Sequence, residues 1–194
     1  WPEEVYYSLL RCAILKGIME RPFEEIEEAF LVCFNNRPFR AEPLWFLARM
    51  NRMNNRNAVA YMYAKHGLEI PYPEHDILFI QRDVYTWGLL DEIGATAYFA
   101  GKPEVGYQAC KILMENQMAP REHWERIQTN LNSYEKVIGE LQQQKEQHEL
   151  NIKMKESEEK EKKRQDKKIK TQTKVKKTTK SAPKAGYKKK KVKA

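Results

Sequence analysis

The sequence contains little cysteine and no long apolar run. Its three cysteines, Cys12, Cys33 and Cys110, each lie inside an apolar helical pattern, which favours buried thiols over a disulfide framework. No stretch approaches the roughly 18 consecutive apolar residues of a membrane-spanning helix. We therefore expect a chain without a membrane span, held in a reducing compartment and located in the cytoplasm.

The residues that usually carry chemistry are also scarce or scattered. The glycines occur singly, so no phosphate-binding loop is visible, and the histidines (His66, His75, His123, His148) have no metal-ligand spacing. The triplet Glu74-His75-Asp76 is compact, but adjacent residues rarely converge on one ion. We interpret it as a solvated loop tip, with a ligand site as the less favoured alternative. The sequence thus predicts no catalytic, cofactor-binding or metal-binding residue.

The charge is distributed very unevenly. Residues 153–194 contain 19 Lys/Arg and 5 Asp/Glu, a net charge of +14, so residues 1–152 carry −6 of the total of +8. The tail of this basic segment, residues 159–194, is of low complexity and has no apolar period, so it is expected to be disordered. Charge alone allows it to contact nucleic acid or other polyanions without specificity, although a solvated tether is the simpler interpretation.

An internal period organises the rest of the chain. The turns Met19-Glu20-Arg21-Pro22 and Met53-Asn54-Asn55-Arg56 lie 34 residues apart, and each separates two apolar-periodic segments. This period, with small or apolar residues at matching offsets, is that of tetratricopeptide repeats. The sequence predicts an all-α, tetratricopeptide-like right-handed solenoid of three helix pairs plus a capping helix, over residues 1–143. Residues 144–194 are predicted to be a charged helix extension and a disordered Lys-rich tail.

The third repeat starts later than the period requires. A strict period places its start at residue 75, whereas the third unit begins at Trp87. We therefore predict an insertion over residues 69–82, kept out of helix by Pro71 and Pro73, whose apolar run from Ile77 to Ile80 covers a groove. We interpret it as a loop packed onto its own solenoid, with a substrate loop as the alternative. The predicted helices are 3–17, 22–36, 40–53, 57–68, 83–99, 103–116 and 120–143.

Three blocks of the sequence resemble a known family. They are FNNRPFRAEPLWFLAR, HGLEIPYPEHDILFIQRDVYTWGLLDEIGATAYFAGK and QMAPREHWERIQTNL, and together they resemble the tetratricopeptide-like region attached to family-2-type glycosyltransferases of bacteria and large viruses. The resemblance covers roughly residues 1–135 and implies an accessory helical module, in the C-terminal part of a glycosyltransferase polypeptide, that binds an acceptor or a protein partner. The chain begins with WPEEVYY inside a helical pattern, and we interpret it as a fragment that follows a missing upstream domain.

The catalytic motif of that family is not found here. Its catalytic domains hold a divalent metal and a nucleotide sugar with an Asp-x-Asp pair, and no such pair occurs in this sequence. The resemblance therefore implies a glycosyltransferase polypeptide whose cofactors belong to the upstream domain, while the present residues are non-catalytic. The alternative is a free-standing tetratricopeptide-type scaffold for protein interactions, with a polybasic tail that contacts nucleic acid or other polyanions.

A binding surface is expected on the first helix of each pair, because these helices line the concave face of such repeats. Arginine beside tryptophan or tyrosine is typical of binding hot spots. The register places six candidates on that side: Arg11, Trp45, Arg49, Arg52, Asp91 and Tyr98. They would hold a protein or glycan acceptor; the alternative is that they are solvated charges and contacts between helices.

Overall fold

The computed structural model describes the backbone of residues 1–179 and the side chains of residues 1–163. Contacts divide the chain into two compact units, Trp1–Leu141 and Gln142–Ala194. Every regular element of the described residues is helical, which confirms the all-α prediction. The helices are α1 (Pro2–Ile18), α2 (Phe23–Asn36), α3 (Glu42–Met53), α4 (Asn57–Leu68), α5 (Leu89–Thr96), α6 (Pro103–Glu115) and α7 (Trp124–Thr179).

Consecutive helices of the first unit pack on one another in chain order, from α1 against α2 to α5 against α6. The helices α2, α4 and α6 begin at residues 23, 57 and 103, which are 34 and 46 residues apart. The first interval equals the period found in the sequence, and the second exceeds it by 12. The extra length lies between α4 and α5, where residues 69–81 contain no helix, so the predicted insertion over residues 69–82 is non-helical except for Arg82.

The turns between helices contain residues in the left-handed backbone region. Glu20, Asn55 and Gln117 have φ values of 53°, 59° and 49° after the ends of α1, α3 and α6. Gly101, with φ of 68°, precedes α6. A left-handed residue ends a helix and reverses the chain within a few residues. The turns that we predicted from the period are therefore the places where the chain reverses.

Small side chains allow the helices to pack close together, as the period predicted. Ala60 and Ala64 of α4 are fully buried, and a Cβ added at Gly67 would lie 2.6 Å from a methyl group of Leu89. A Cβ at Gly106 of α6 would lie 2.2 Å from the ring of Tyr134. Backbones approach this closely only where no larger side chain stands between them.

The predicted helix over residues 83–99 is divided in the structure. A π-helical turn (Val84–Gly88) comes first, α5 follows, and a 3₁₀ turn (Ala97–Ala100) ends the segment. The π turn is closed by the Leu89 amide, which donates to the carbonyl of Val84. A turn of this width rotates the side chains after it relative to an ordinary helix, and such turns are frequent at functional sites.

The insertion is held mainly by polar contacts, which differs from our expectation of an apolar cover. Ile77 is 74 % exposed, and Phe79 is also exposed although its ring stacks on that of Tyr7 at 3.9 Å. Glu3 of α1 accepts hydrogen bonds from the amides of Ile77 and Leu78, at 3.0 and 2.7 Å. Two backbone amides of the insertion are therefore hydrogen-bonded to one carboxylate of α1. The apolar run contributes less to the packing of the insertion than its composition suggested.

Helix α7 begins after a 3₁₀ turn (Arg121–His123). Its residues Ile127, Leu131 and Tyr134 are buried with Cys110 and Leu113 of α6, as expected of the helix predicted over residues 120–143. Within the described residues, no helix combines the length and the apolar character needed to cross a membrane.

The basic segment differs in part from the predicted disorder, because α7 continues through Thr179. Residues 142–163 are exposed, and some of their charged side chains pair with one another, as Lys163 does with Glu159 at 2.6 Å. Lys, Glu and Gln are strong helix formers and pair at a spacing of four, so a helix forms there without an apolar face. Residues 180–194, the remainder of the predicted tail, lie outside the described residues.

Candidate functional site

A buried charged cluster fixes the geometry of the candidate site. Arg40, in the loop before α3, is fully buried, and its guanidinium donates to both carboxylate oxygens of Glu42 at 2.7–3.2 Å. It also donates to Asp76 at 2.8 Å and to the carbonyl of Phe79 at 3.1 Å. Arg40 thereby joins the start of α3 to two points of the insertion.

The second carboxylate oxygen of Glu42 extends the cluster to α1 and to the π turn. It accepts the hydroxyl hydrogens of Tyr6, at 3.0 Å, and Tyr85, at 2.8 Å, while the Gln81 amide donates to the other oxygen at 3.3 Å. Arg37 forms a further ion pair with Asp76. Two arginines thus balance two carboxylates, which is the condition under which buried charges persist.

The ionisation of the cluster follows from its burial. Loss of solvation, followed by the charge of Glu42, raises the pKa of Tyr6 far above its usual value, and the same two causes raise that of Tyr85. Burial alone lowers the pKa of Arg40, but hydrogen bonds and charge from Glu42, with Asp76, reverse this and raise it. The tyrosines therefore remain neutral donors and the arginine remains charged, so the cluster acts as a rigid polar clamp.

Asp76 corrects one interpretation of the sequence. The triplet Glu74-His75-Asp76 was expected to be a solvated loop tip, yet Asp76 is buried and paired with Arg37 and Arg40. Glu74 and His75 are exposed, as expected. Among the side chains of residues 1–163, no group of three or more His, Cys, Asp or Glu has the arrangement of a metal site.

The clamped insertion forms one wall of an open groove, which we call the aromatic–arginine groove. Its other wall is α3, and its volume is about 660 Å³. The lining residues are Trp45, Arg49, Ile80, Gln81, Arg82, Asp83, Val84 and Trp87. Volume and composition fall in the range of small-ligand sites, in which a few polar groups accompany apolar and aromatic walls.

The two tryptophans are positioned by the π turn. Trp87 lies within that turn, where its ring packs 5.0 Å from that of His123. Gly88 lies directly against Trp45, since an added Cβ would stand 2.9 Å from the indole nitrogen of Trp45. The glycine lets the π turn approach α3, and this approach brings Trp45 and Trp87 to the same groove.

The groove arginines differ from most other arginines of the first unit. Arg21, Arg37, Arg40, Arg52, Arg56 and Arg126 all pair with carboxylates. Arg49 and Arg82 form none of the ion pairs found within residues 1–163 and lie instead over aromatic rings. Arg49 is 5.6 Å from the ring centre of Trp45, and Arg82 is 5.9 Å from that of Tyr72. Both side chains are exposed and line the groove.

The structure brings together two of the six candidate residues, Trp45 and Arg49. Arg52 pairs with Glu92 at 2.7 Å, and Asp91 pairs with Arg126 at 2.8 Å, so these two side chains join helices to one another. Their arrangement agrees with the alternative in which they make contacts between helices.

The remaining two candidates lie elsewhere. Arg11 is exposed on α1, outside the aromatic–arginine groove. Tyr98 is 52 % exposed and lines a separate cavity of about 210 Å³ beside Tyr134. The backbone amide of Tyr98 donates to the Tyr134 hydroxyl at 3.1 Å, which fixes the rim of that cavity.

Sequence reasoning missed Gln81, Arg82 and Trp87 as site residues, because the first two end the insertion and Trp87 begins the unit that follows it. The signal that identifies them is the run of polar residues between the apolar stretch ending at Ile80 and the aromatic pair Tyr85 and Trp87. A polar run directly after an apolar run predicts that its side chains lie at the protein surface.

The cysteines were expected to be buried, and two of them are. Burial raises the pKa of Cys33 and of Cys110 to about 12, and each thiol donates to a backbone carbonyl at 3.7 Å. Such thiols are protonated at neutral pH and therefore poor nucleophiles. Cys12 is exposed on α1, contrary to the expectation.

No protein family model, curated protein or solved structure matches this chain at a significant level.

Proposed function

We propose that this chain is a non-catalytic, tetratricopeptide-like binding module with a right-handed solenoid arrangement, and that it serves as the accessory region of a glycosyltransferase polypeptide. The observation that supports this proposal best is the aromatic–arginine groove, in which Trp45, Arg49, Arg82 and Trp87 line one open cavity. A surface of this composition retains a partner molecule near a reaction centre that another domain supplies.

The fixed walls of the groove support its role in binding. Its insertion wall is fixed by the Arg40 cluster, and the wall formed by α3 is fixed by the close approach of Gly88 to Trp45. Preorganised walls lower the entropy cost of binding. In the buried Arg40 cluster, the pKa values of Tyr6, Tyr85 and Arg40 are raised, so all three keep their ordinary ionisation state at neutral pH.

A test in the complete polypeptide separates binding from chemistry. The double variant Arg49→Gln with Trp87→Ala is expected to raise the KM for the acceptor about tenfold or more, with little change in hydrolysis of the nucleotide sugar. Arg121→Gln is the matched control, because Arg121 also lies over a tryptophan, Trp124, at 5.7 Å but outside the groove. Equal KM values in parent and double variant would refute the role of the groove.

Two further observations would decide whether a glycosyltransferase is involved. The coding sequence upstream of Trp1 is expected to encode about 200 residues of alternating strand and helix with an Asp-x-Asp pair, the size of an ordinary domain. The present chain alone, supplied with nucleotide sugars and Mn²⁺, is expected to show no turnover. Turnover at an enzymatic rate would show that catalytic residues lie within these 194 residues.

The second candidate function is a protein-interaction scaffold whose basic extension contacts polyanions. The observation that favours it is the net charge of +14 over residues 153–194, which begins in the exposed helical segment of the second unit. Deleting residues 150–194 is expected to abolish binding to heparin and to nucleic acid. In the parent chain, that binding should weaken steeply as salt rises. Undiminished binding after the deletion would place the polyanion site in the first unit.

A further inference from the structure

The polar side chains of the aromatic–arginine groove form no hydrogen bonds with the side chains and backbone described within residues 1–163. Gln81 uses its backbone amide to bind Glu42, while its side chain, like those of Arg49, Arg82 and Asp83, forms none of the hydrogen bonds found within residues 1–163. Charged side chains that line a cavity without partners retain their donors and acceptors for a ligand. The groove therefore offers two guanidinium groups, one carboxamide and one carboxylate.

The charges in the groove select among ligands. Arg49 and Arg82 each present a planar set of donors that suits a carboxylate or phosphate group. Asp83 is acceptor-only when ionised, so it would repel a simple polyanion but accept hydrogen bonds from hydroxyl groups. A ligand that satisfies all of these groups carries one anionic group and several hydroxyl groups on the same framework.

The two tryptophans add a requirement for shape. An indole face presents apolar surface with a negative electrostatic potential, which complements the weakly positive C–H groups on the face of a pyranose ring. Trp45 and Trp87 line the same cavity as the four polar side chains. A hexose ring offers C–H faces to indole and directs its hydroxyl groups outward from the ring edge, towards groups such as Asp83 and Gln81.

We propose that the aromatic–arginine groove binds an anionic hexose unit of a glycan, either a uronic acid or a sugar phosphate. Arg49 and Arg82 bind the anionic group, Trp45 and Trp87 contact the ring faces, and Asp83 with Gln81 accepts hydrogen bonds from the hydroxyl groups. This inference rests on the proposed function, because it specifies the chemical class of the acceptor that the module retains.

The test measures binding of small probes to the full chain by calorimetry and by tryptophan fluorescence. The probes are glucuronate, glucose 6-phosphate, glucose and inorganic phosphate. One or both anionic hexoses are expected to bind at least tenfold more tightly than glucose or inorganic phosphate, and the tighter of the two identifies the source of the anionic group. A tenfold change corresponds to about 1.4 kcal/mol, close to the lower end of the contribution of one charge-assisted hydrogen bond.

The variants separate the contributions of charge and ring. Arg49→Gln and Arg82→Gln are each expected to weaken binding of the anionic hexose about tenfold and to leave the weak binding of glucose unchanged. Trp87→Ala should weaken both sugars. Arg121→Gln keeps the basic segment intact and removes an arginine outside the groove, so it should match the parent and show that the basic segment does not account for the signal.

Other outcomes overturn the proposal in distinguishable ways. Equal affinity for glucose and the anionic hexoses would disprove selection by charge, and equal affinity for inorganic phosphate would disprove recognition of the ring. Binding of an acidic peptide, but of no sugar, in an Arg49-dependent manner would disprove the glycan class. Each of these results leaves the module as a binding domain, whereas an unchanged acceptor KM for the groove variants in the complete polypeptide contradicts the proposed function itself.

Discussion

The interior of the first unit is built in two different ways. Beneath the insertion it is charged: Arg40, Glu42 and Asp76 are buried together and hydrogen-bonded. Between α4, α5 and α6 it is apolar and close-packed, with Ala64, Ile93 and Ala109 in one cluster. A close-packed interface specifies how near two helices lie, whereas the charged cluster specifies which segment docks, since only a matching carboxylate satisfies Arg40.

The largest expected effect comes from breaking the charged interior. Arg40→Ala leaves Glu42 and Asp76 buried without their principal partner, which is expected to cost about 3–5 kcal/mol of unfolding free energy, measured by urea denaturation. Arg21→Ala removes an exposed arginine that pairs with Glu25 and should cost less than about 1 kcal/mol. Similar losses for the two variants would show that the buried cluster contributes no more than a surface ion pair.

The close-packed interior is tested by overfilling it. Ala60 of α4 is fully buried, and Ala60→Trp is expected to cost about 3 kcal/mol, because the helices must separate to admit the ring. Ala58→Trp, on the exposed side of the same helix, is the matched control and should have little effect. If Ala60→Trp melted within a degree or two of the parent, the repeat register proposed for α4 would be incorrect.

The smallest expected effect concerns the charged interior at high pH. Because the pKa of Tyr6 is raised in the folded state, the unfolded chain releases this proton first as pH rises above about 10. Stability is therefore fully present below that pH and is lost above it, at up to about 1.4 kcal/mol per pH unit for one proton. Tyr6→Phe should reduce this slope in urea titrations between pH 9 and 11.

Tyr6→Phe also removes the hydrogen bond to Glu42. To correct for this loss, the unfolding free energy of each protein is expressed relative to its own value at pH 7. An identical slope in parent and variant would mean that Tyr6 ionises equally in the folded and unfolded states. It would then follow that the charged interior is accessible to solvent at Tyr6.

The apolar interior was predictable from the sequence and the charged one was not. Ala60, Ala64 and Gly67 occur at repeat offsets, so a period of 34 is sufficient to place them at helix contacts. Arg40 and Asp76 lie in loop-like segments near proline, where charged residues are ordinarily solvated. Their pairing joins residues 36 positions apart, and no local sequence pattern predicts a contact between residues so far apart.

The candidate site shows the same division. Trp45 and Arg49 were predicted because the repeat register placed them on a first helix, whereas Arg82 and Trp87 line the same cavity only through tertiary packing. The π turn that orients Trp87 depends on contacts of Tyr85 with Glu42 and of Gly88 with Trp45, both of which are tertiary.

The sequence by itself determined the helices, the turns that separate them, the insertion and the strongly basic segment. These features depend on local preferences and on spacing along the chain, which are present before the chain folds. Only the tertiary structure decided that Asp76 is buried, that the insertion is held by charge, and that two tryptophans and two unpaired arginines line one groove. Those outcomes depend on which residues far apart in the sequence come into contact, and the packing of the whole unit determines these contacts.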